Sequence, residues 1–521
     1  MNGMLDVLEE QRLILQAELD SRKTQSERNR LGQFATPTNL ATEILKYAAT
    51  LVPNDTAVSF LDPAIGTGAF YSALRQVFPE SRIKEALGFE IDAHYGEPAT
   101  QLWRQAGLVI KPDDFTLEPP APRFDLVICN PPYVRHHHLQ NGEKARLQAR
   151  TLSASKMKLS GLAGLYSHFL GLAHAWMTDG AVAGWLIPSE FMDVNYGRAI
   201  KHYLLNQVTL LHIHRFDPSD VQFADALVSS AIVWFRNTPP PEKHSVTFSL
   251  GGTLLSPQLS RDIPAKSLAR APKWTRFPVS ETVRQKTTTV LSDFFRIKRG
   301  LVTGDNHYFV LTASEITERR LPIELFRPIL PSPRYLPDDE ILADEDGLPL
   351  LKHQLFLLDT RLSEEQIQER YPHLSAYLQI GKSAQVHERY ICRHRSPWYS
   401  QETRPPAPIV CTYLGRSDGK SGRPFRFILN HSDATVANVY LAMYPTARLA
   451  CALRADSTLL RRIWLTLNRI APEQLLGEGR VYGGGLHKLE PNELANVDAT
   501  SIAELVPGSE RAMSATQLSL F

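Results

Sequence analysis

The chain has 521 residues, 43% of them hydrophobic and 21% charged, with a formal net charge of +2. This is ordinary globular composition, long enough for about two to four domains. The near-neutral balance excludes a uniformly basic polyelectrolyte, so any contact with nucleic acid must come from a local patch. Cys129, Cys392, Cys411 and Cys451 show no CxxC or zinc spacing and read as free thiols. No apolar run approaches membrane-spanning length and the first residues begin no signal peptide, so the expectation is a soluble cytoplasmic protein with no membrane partner.

In chain order, Leu5, Leu8, Leu13, Leu15 and Leu19 recur at helical spacing and predict one amphipathic helix over residues 1–30. Gln33-Phe34-Ala35-Thr36-Pro37 is a loop, and Leu40–Leu51 a second helix. From Val58 the rhythm becomes strand–helix–strand. Strands are expected at Val58–Leu61, Ala86–Ile91, Val109–Ile110 and Leu126–Cys129, with a helix at Phe70–Val77. Residues 134–160 read as polar and flexible. A helix at Tyr166–Met177 and strands at Val182–Ile187, Val208–Phe216 and Val228–Phe235 complete the pattern. Such alternation predicts an α/β fold with a doubly wound, Rossmann-like sheet. At Asn237-Thr238-Pro239-Pro240-Pro241 the pattern stops. A boundary near 240 would leave 31–240 as the first domain and 241–521 as a mixed α+β second domain.

The tetrapeptide Asn130-Pro131-Pro132-Tyr133 follows the apolar run Phe124–Cys129. Two prolines end a strand abruptly, leaving a stiff loop at its carboxyl end, where open α/β sheets bind ligands. An amide, a prolyl carbonyl and an aromatic ring together suit a flat base with an exocyclic amino group. The other reading is a simple turn.

Asp62-Pro63-Ala64-Ile65-Gly66-Thr67-Gly68 follows the first strand. A nicotinamide site would want a third glycine, where this chain has Tyr71, and Asp62 would repel phosphate. A carboxylate suits a cationic ligand without phosphate, and S-adenosylmethionine is one. Glu90, at the end of the second strand, can bind ribose hydroxyls. Asp114 and Phe115 can hold and cover an adenine, though capping a turn and packing in a core are their bland alternatives.

Together these motifs, in this order over residues 30–236, resemble the gamma class of DNA adenine-N6 methyltransferases from restriction–modification systems. The resemblance implies a cofactor site built from Phe34, Thr36, Pro37, Asp62, Ala64, Gly66, Gly68, Glu90, Ile91, Asp114, Phe115 and Asn130. Thr36 and Pro37 would lie at the methionine end and Asp62 at the amino-acid portion. Asn130 and Pro131 would bind the target amino group of a flipped adenine, Tyr133 would stack on it, and Phe223 would cover the other face. The long second domain would recognise the target, through segments such as Arg299–Asn306 and Tyr482–Lys488.

Arg135, Arg299, Arg393, Arg395, Arg416 and Lys488 are the expected contacts to double-stranded DNA. Lys144, Arg146, Arg150, Lys156 and Lys158 form either a segment ordered by DNA or a solvated loop. His136-His137-His138 invites a zinc reading, set aside because successive side chains rarely converge. Cys129 on an apolar strand reads as a buried thiol, against a cytosine-C5 mechanism. Cytosine N4, RNA and protein glutamine stay open as alternative amino-group substrates. Pro337-Asp338-Asp339-Glu340 lacks a following Glu-x-Lys, so a separate restriction endonuclease is expected rather than a fused nuclease. A monomer without metal is the remaining expectation.

Overall fold

Short apolar strands that are buried on both faces need helices on both sides, and the first part of the chain folds accordingly. The computed structural model describes residues 2–120, 124–217, 229–279, 289–416, 423–482 and 486–506. The chain divides into two compact units between Gln285 and Lys286.

The first unit opens with helices α1 (Asn2–Ser21), α2 (Gln25–Leu31) and α3 (Thr38–Leu51). There follow β1 (Val58–Asp62), α4 (Ala69–Val77), β2 (Ile83–Phe89), α5 (Ala93–Trp103), β3 (Leu108–Lys111) and β4 (Phe124–Cys129). Then come α6 (Asn141–Ser155), α7 (Leu165–Ala173), β5 (Met177–Pro188), α8 (Gly197–Asn206) and β6 (Thr209–Arg215). Strands β7 (Ser230–Arg236), β8 (Ser245–Gly252) and β9 (Pro257–Pro264) close the unit's sheet. The strand order is β3-β2-β1-β4-β5-β7-β6-β8-β9. Strands β1 to β5 pair in parallel, and β7 runs antiparallel between β5 and β6. The sheet is thus the expected doubly wound one, and its order reverses between β1 and β4. That is where such sheets open a crevice at their carboxyl ends.

Side-chain alternation along the strands divides the core. Phe60, Leu126 and Ile128 pack with α3, α4 and α5 on one face. Leu61, Val127 and Cys129 pack with α6, α7 and α8 on the other. Because β1, β2 and β4 run in the same direction, Asp62, Glu90 and Asn130 emerge at one edge of the sheet.

Three expectations are corrected. The first helix is broken: α1 ends at Ser21, and α2 starts after Thr24, whose hydroxyl accepts from Glu27 N in a capping box. The buried seam of α1 is mixed: Leu19 is buried and Leu8 packs on the core as the leucine spacing predicts, but Glu9 and Arg12 are buried as well. Arg12, 1% exposed, donates to both Glu9 oxygens at 2.7 and 2.6 Å and to Thr38 Oγ1 at 3.0 Å, while Leu13 faces solvent. Residues 134–160 hold a 15-residue helix, α6, rather than a flexible loop, with Leu147, Thr151 and Ser155 buried. Its apolar stripe is one residue per turn, too narrow to register as amphipathic. The proline run at 239–241 does not end the domain. Gly180 N donates to Asn237 O at 2.9 Å and the Thr209 hydroxyl to Pro239 O at 3.0 Å, after which β8 and β9 extend the same sheet. Prolines remove amide donors, so they interrupt a ladder without interrupting a fold.

The second unit is mixed α+β. A five-stranded sheet has the order Phe295–Arg299, Tyr440–Pro445, Ile409–Thr412, Phe427–Asn430, Glu340–Ile341. Two three-stranded sheets join it, one of them carrying Leu414–Arg416 beside Leu486–Lys488. In the 337–340 loop the carboxylates are engaged by cations: Asp339 with Arg426 at 2.6 Å and Glu340 with Arg461 at 2.8 Å.

Candidate active site at the carboxyl ends of the strands

Asp62 is the last residue of β1 and is 1% exposed. Its Oδ1 accepts from Ala64 N at 3.1 Å, and it also hydrogen-bonds the Cys129 thiol. Burial pushes its carboxyl up to about 8, and the nearby Glu90 charge adds to the rise. Glu90 bridges the turn: Oε2 accepts from Gly66 N at 3.1 Å and Oε1 from Asp92 N at 2.8 Å. It too is pushed up, to about 7, chiefly by burial and then by Asp92. Gly66 lies between these carboxylates, and a Cβ there would meet nothing within 4 Å. Gly68 is different: at φ +92° its Cβ would sit 2.4 Å from Trp103 Nε1, so it serves packing.

Two buried carboxylates that resist ionisation, beside open space and a short amide-lined turn, fit a ligand that is cationic and hydroxyl-bearing. They do not fit a phosphate. The donor set therefore suits S-adenosylmethionine. Ile91, 70% exposed, offers an open apolar side chain next to Glu90. Phe115 does not: it is 2% exposed, with its ring centroid 5.4 Å from those of Phe89 and Phe169 and 5.6 Å from Trp176. Core packing accounts for that ring. Asp114 Oδ1 caps a turn, accepting from Thr116 N at 2.8 Å, and Oδ2 lies 3.8 Å from Arg146. A cleft of about 600 Å³ that Phe115 shares with Arg150, Asp179 and Asn237 belongs to the opposite ends of the strands, remote from Asn130.

The loop after β4 meets the segment after α2. Gly32 ends α2 at φ +67°, and its carbonyl accepts from Tyr133 N at 3.2 Å. A Cβ at Gly32 would lie 2.4 Å from that nitrogen. Asn130 Nδ2 donates to Phe34 O at 3.0 Å and to Thr36 Oγ1 at 3.1 Å. Among the described residues nothing donates to Asn130 Oδ1 or to the Pro131 carbonyl. Tyr133 is only 9% exposed. Its hydroxyl donates to Leu186 O at 3.0 Å, and its ring stands 5.7 Å from that of Phe34. It is a fixed wall more than a protruding stacking platform. Ala35 and Pro37 are exposed, and Thr36 is buried. Phe223 and its neighbours lie outside the described residues. Burial and the Asp62 charge push the Cys129 thiol well up, so it is a protonated, inert thiol.

Gly32, Lys23 and Asp92 were not among the residues singled out from the sequence, and Gln33 was named only as part of its motif. Gln33 Nε2 donates to Asp92 Oδ2 at 2.7 Å, and Lys23 pairs with the same oxygen. Burial raises the Asp92 carboxyl, but these donors outweigh it and hold it below the usual range. Thr67 of the glycine turn donates to Gln16 Oε1 at 2.6 Å. The N-terminal helices are thus docked on the edge of the sheet that carries Thr67 and Asp92. The signal for Gly32 was its position one residue before the 33–37 motif.

A family model described as Eco57I restriction-modification methylase matches residues 96–222. One described as Type II methyltransferase M.Eco57I, C-terminal domain, matches residues 275–518. The Type II methyltransferase M.XamI of Xanthomonas campestris pv. amaranthicola is 28% identical over 487 residues, covering 91% of this chain and 86% of that protein. M.AccI of Acinetobacter calcoaceticus is 27% identical over 484 residues, covering 90% and 85%. The two models and these relatives together support a restriction–modification methyltransferase. S-adenosylmethionine is accordingly its expected cofactor. A DrdV–DNA complex is 14% identical with a TM-score of 0.48, covering 90% of this chain and 55% of that one.

The C-terminal match begins at 275, close to the division at Gln285 and Lys286 and well past 240. Within the methyltransferase's second unit, two segments picked out from the sequence converge on a residue that was not. The Arg299 guanidinium lies 4.1 Å from the Tyr413 ring centroid and Lys488 Nζ 5.2 Å from it. Arg416, exposed, pairs in register with Leu486. Arg393 is exposed over the Tyr390 ring at 5.2 Å. Arg395 is engaged internally: it donates to Val302 O, to Thr303 O at 2.9 Å and to Gln401 Oε1 at 3.0 Å, and burial lowers its pKa. Its guanidinium braces a loop. In the first unit Arg135 is exposed. Arg146 and Arg150 are tied to the 116–118 backbone at 3.2 and 2.7 Å, so they hold α6 in place. No helix among the described residues is long and apolar enough to cross a membrane.

Proposed function

We propose that the chain is a site-specific DNA methyltransferase that modifies the N6 amino group of an adenine turned out of the duplex, protecting host DNA from a separate cognate endonuclease. One observation carries the reading. Asn130 Oδ1 and the Pro131 carbonyl are two adjacent acceptors without a donor among the described residues, at the carboxyl end of β4. An amino group has two hydrogens to give, and these two oxygens match them.

Asp62 and Glu90, with the Gly66 turn and Ile91, are the residues that would hold the charged and hydroxyl-bearing parts of the cofactor. When bound, S-adenosylmethionine supplies an electrophilic methyl group on a sulfonium. The adenine nitrogen is a weak nucleophile because its lone pair is delocalised into the ring. Asn130 and Pro131, by accepting its hydrogens, favour a tetrahedral nitrogen and aim its lone pair. Positioning in a dry, preorganised site supplies the rate, and the surplus N–H proton goes to solvent. Turning the base out costs a few kcal/mol. Contact with the Tyr133 ring, and with Phe223 as the family resemblance implies, would offset part of that. The second unit recognises the target, with Arg299, Arg416 and Lys488 around Tyr413 as its contact group. The relatives' Type II names support DNA as the substrate.

The test is incubation with labelled S-adenosylmethionine and genomic DNA lacking adenine methylation, followed by digestion and identification of the nucleoside. N6-methyladenine upholds the reading, and sequencing gives the recognition site. N4-methylcytosine changes the base. No modified nucleoside, with cofactor binding intact, moves the substrate to RNA or a protein glutamine.

A further inference from the structure

We propose that Thr36 is a positioning residue that, with the Phe34 carbonyl, decides which end of the Asn130 amide faces the target base. The inference rests on the reading of Asn130 as the group that binds the target amino group. An amide offers either two hydrogens or one oxygen, and its two ends are nearly the same size. What lies behind it makes the choice. The Phe34 carbonyl can only accept, so the Asn130 atom 3.0 Å from it is the nitrogen. Thr36 Oγ1, 3.1 Å from the same nitrogen, takes the second hydrogen. Turned over, the amide would set its oxygen against the Phe34 carbonyl, two acceptors with no proton between them. With Nδ2 saturated, only Oδ1 is left to face outward. The pocket then accepts from an amino group and repels an exocyclic carbonyl oxygen, so that it selects adenine over hypoxanthine by charge pattern as well as by reactivity.

The clamp is held along its length. The Gly32 carbonyl binds the Tyr133 amide, the Phe34 ring leans on the Tyr133 ring, and Pro37 O accepts from Ala41 N at 2.9 Å as α3 begins. Thr36 turns inward between exposed Ala35 and Pro37. A segment read from sequence as part of the cofactor site therefore also sets the polarity of the base pocket.

The test compares Thr36→Val, which keeps the shape and removes the acceptor, with Thr36→Ser, which restores it; Thr36→Ala substitutes for T36V if that variant fails to fold. Cofactor-free binding is measured to duplexes carrying the recognition sequence with adenine or hypoxanthine at the target position. The wild type should prefer adenine about tenfold. T36V should shrink that preference below about threefold and lower kcat about tenfold, with T36S recovering both. An unchanged preference in T36V overturns the proposal, as does a fall in cofactor affinity that accounts for the whole loss of kcat. Asn130→Ala separates the underlying reading: if N130A still transfers methyl groups, that reading fails whatever Thr36 shows.

Discussion

The loop at Asn130 and the cluster around Tyr413, the two regions proposed to meet the substrate, are built in opposite ways. At Asn130 the active atoms are short. A half-buried amide, a prolyl carbonyl and the Gly32 carbonyl are fixed by a strand end and a helix end. At Tyr413 they are the tips of long side chains, Arg299 and Lys488, arranged over a ring by cross-strand register. The first arrangement has little freedom and suits chemistry, in which sub-ångström placement sets the rate. The second holds the tips of long side chains by side-chain contacts, Arg299 to Asn438 O at 3.1 Å and Lys488 to Glu490 at 2.8 Å, and suits a surface that binds phosphates and base edges. Of these two regions, the one proposed to carry the chemistry is the more rigid.

That contrast can be broken by experiment. The largest effect should come from Asn130→Ala: a fall in kcat of at least about 100-fold, as for loss of one preorganised polar partner, with the cofactor dissociation constant within about threefold. Loss of cofactor binding with the fold intact would place Asn130 in the other pocket.

Asp62→Asn should weaken cofactor binding by about tenfold or more, the scale of losing a charge-assisted bond. It should also flatten the pH dependence. Asp62 and Glu90 are pushed up to about 8 and about 7 by burial, so a cationic ligand must expel protons from them. Wild-type affinity should rise from pH 6 to a plateau above pH 8, with proton release seen by calorimetry in buffers of different ionisation enthalpy. Stability without cofactor has the opposite sign. The folded protein binds more protons than the unfolded chain between about pH 4 and 8, so it should lose stability as pH rises through that window. A melting temperature that climbs across it would contradict the burial of Asp62.

Gly32→Ala should cost about 1–3 kcal/mol of stability from the left-handed backbone and the clash with Tyr133 N. It should lower activity more than a surface glycine such as Gly142, where a Cβ meets nothing within 4 Å. The smallest effect belongs to the other region. Arg299→Ala and Lys488→Ala should each weaken DNA binding a few-fold at moderate salt. Each should reduce the salt slope by about one and leave cofactor binding unchanged. A single cation whose removal abolishes methylation at saturating DNA would erase the distinction drawn here.

Much was legible before folding. The Asn130–Tyr133 and Asp62–Gly68 motifs, Glu90 and the strand–helix rhythm depend on local sequence, because prolines, glycines and apolar runs act on their own backbone. Four things were not. The mixed seam of α1 hides Arg12 behind a leucine pattern, because pairing with Glu9, not apolarity, permits its burial. Helix α6 reads as a loop because its buried stripe is narrow. The proline run looks like a boundary because the strands that continue the sheet lie beyond it. Phe115 looks like a ligand contact because a phenyl ring serves a core equally well.

The sequence alone determined the methyltransferase class and its cofactor, since each rests on residue types at short spacing. Tertiary structure decided what those residues face. It turned the Asn130 amide by bringing Phe34 and Thr36 behind it from 94 and more residues away. It gathered Arg299 and Lys488 on Tyr413 and withdrew Arg395 into a loop brace. Hydrogen bonds and charge pairs act over a few ångströms of space, and only the fold determines which distant residues come within that reach.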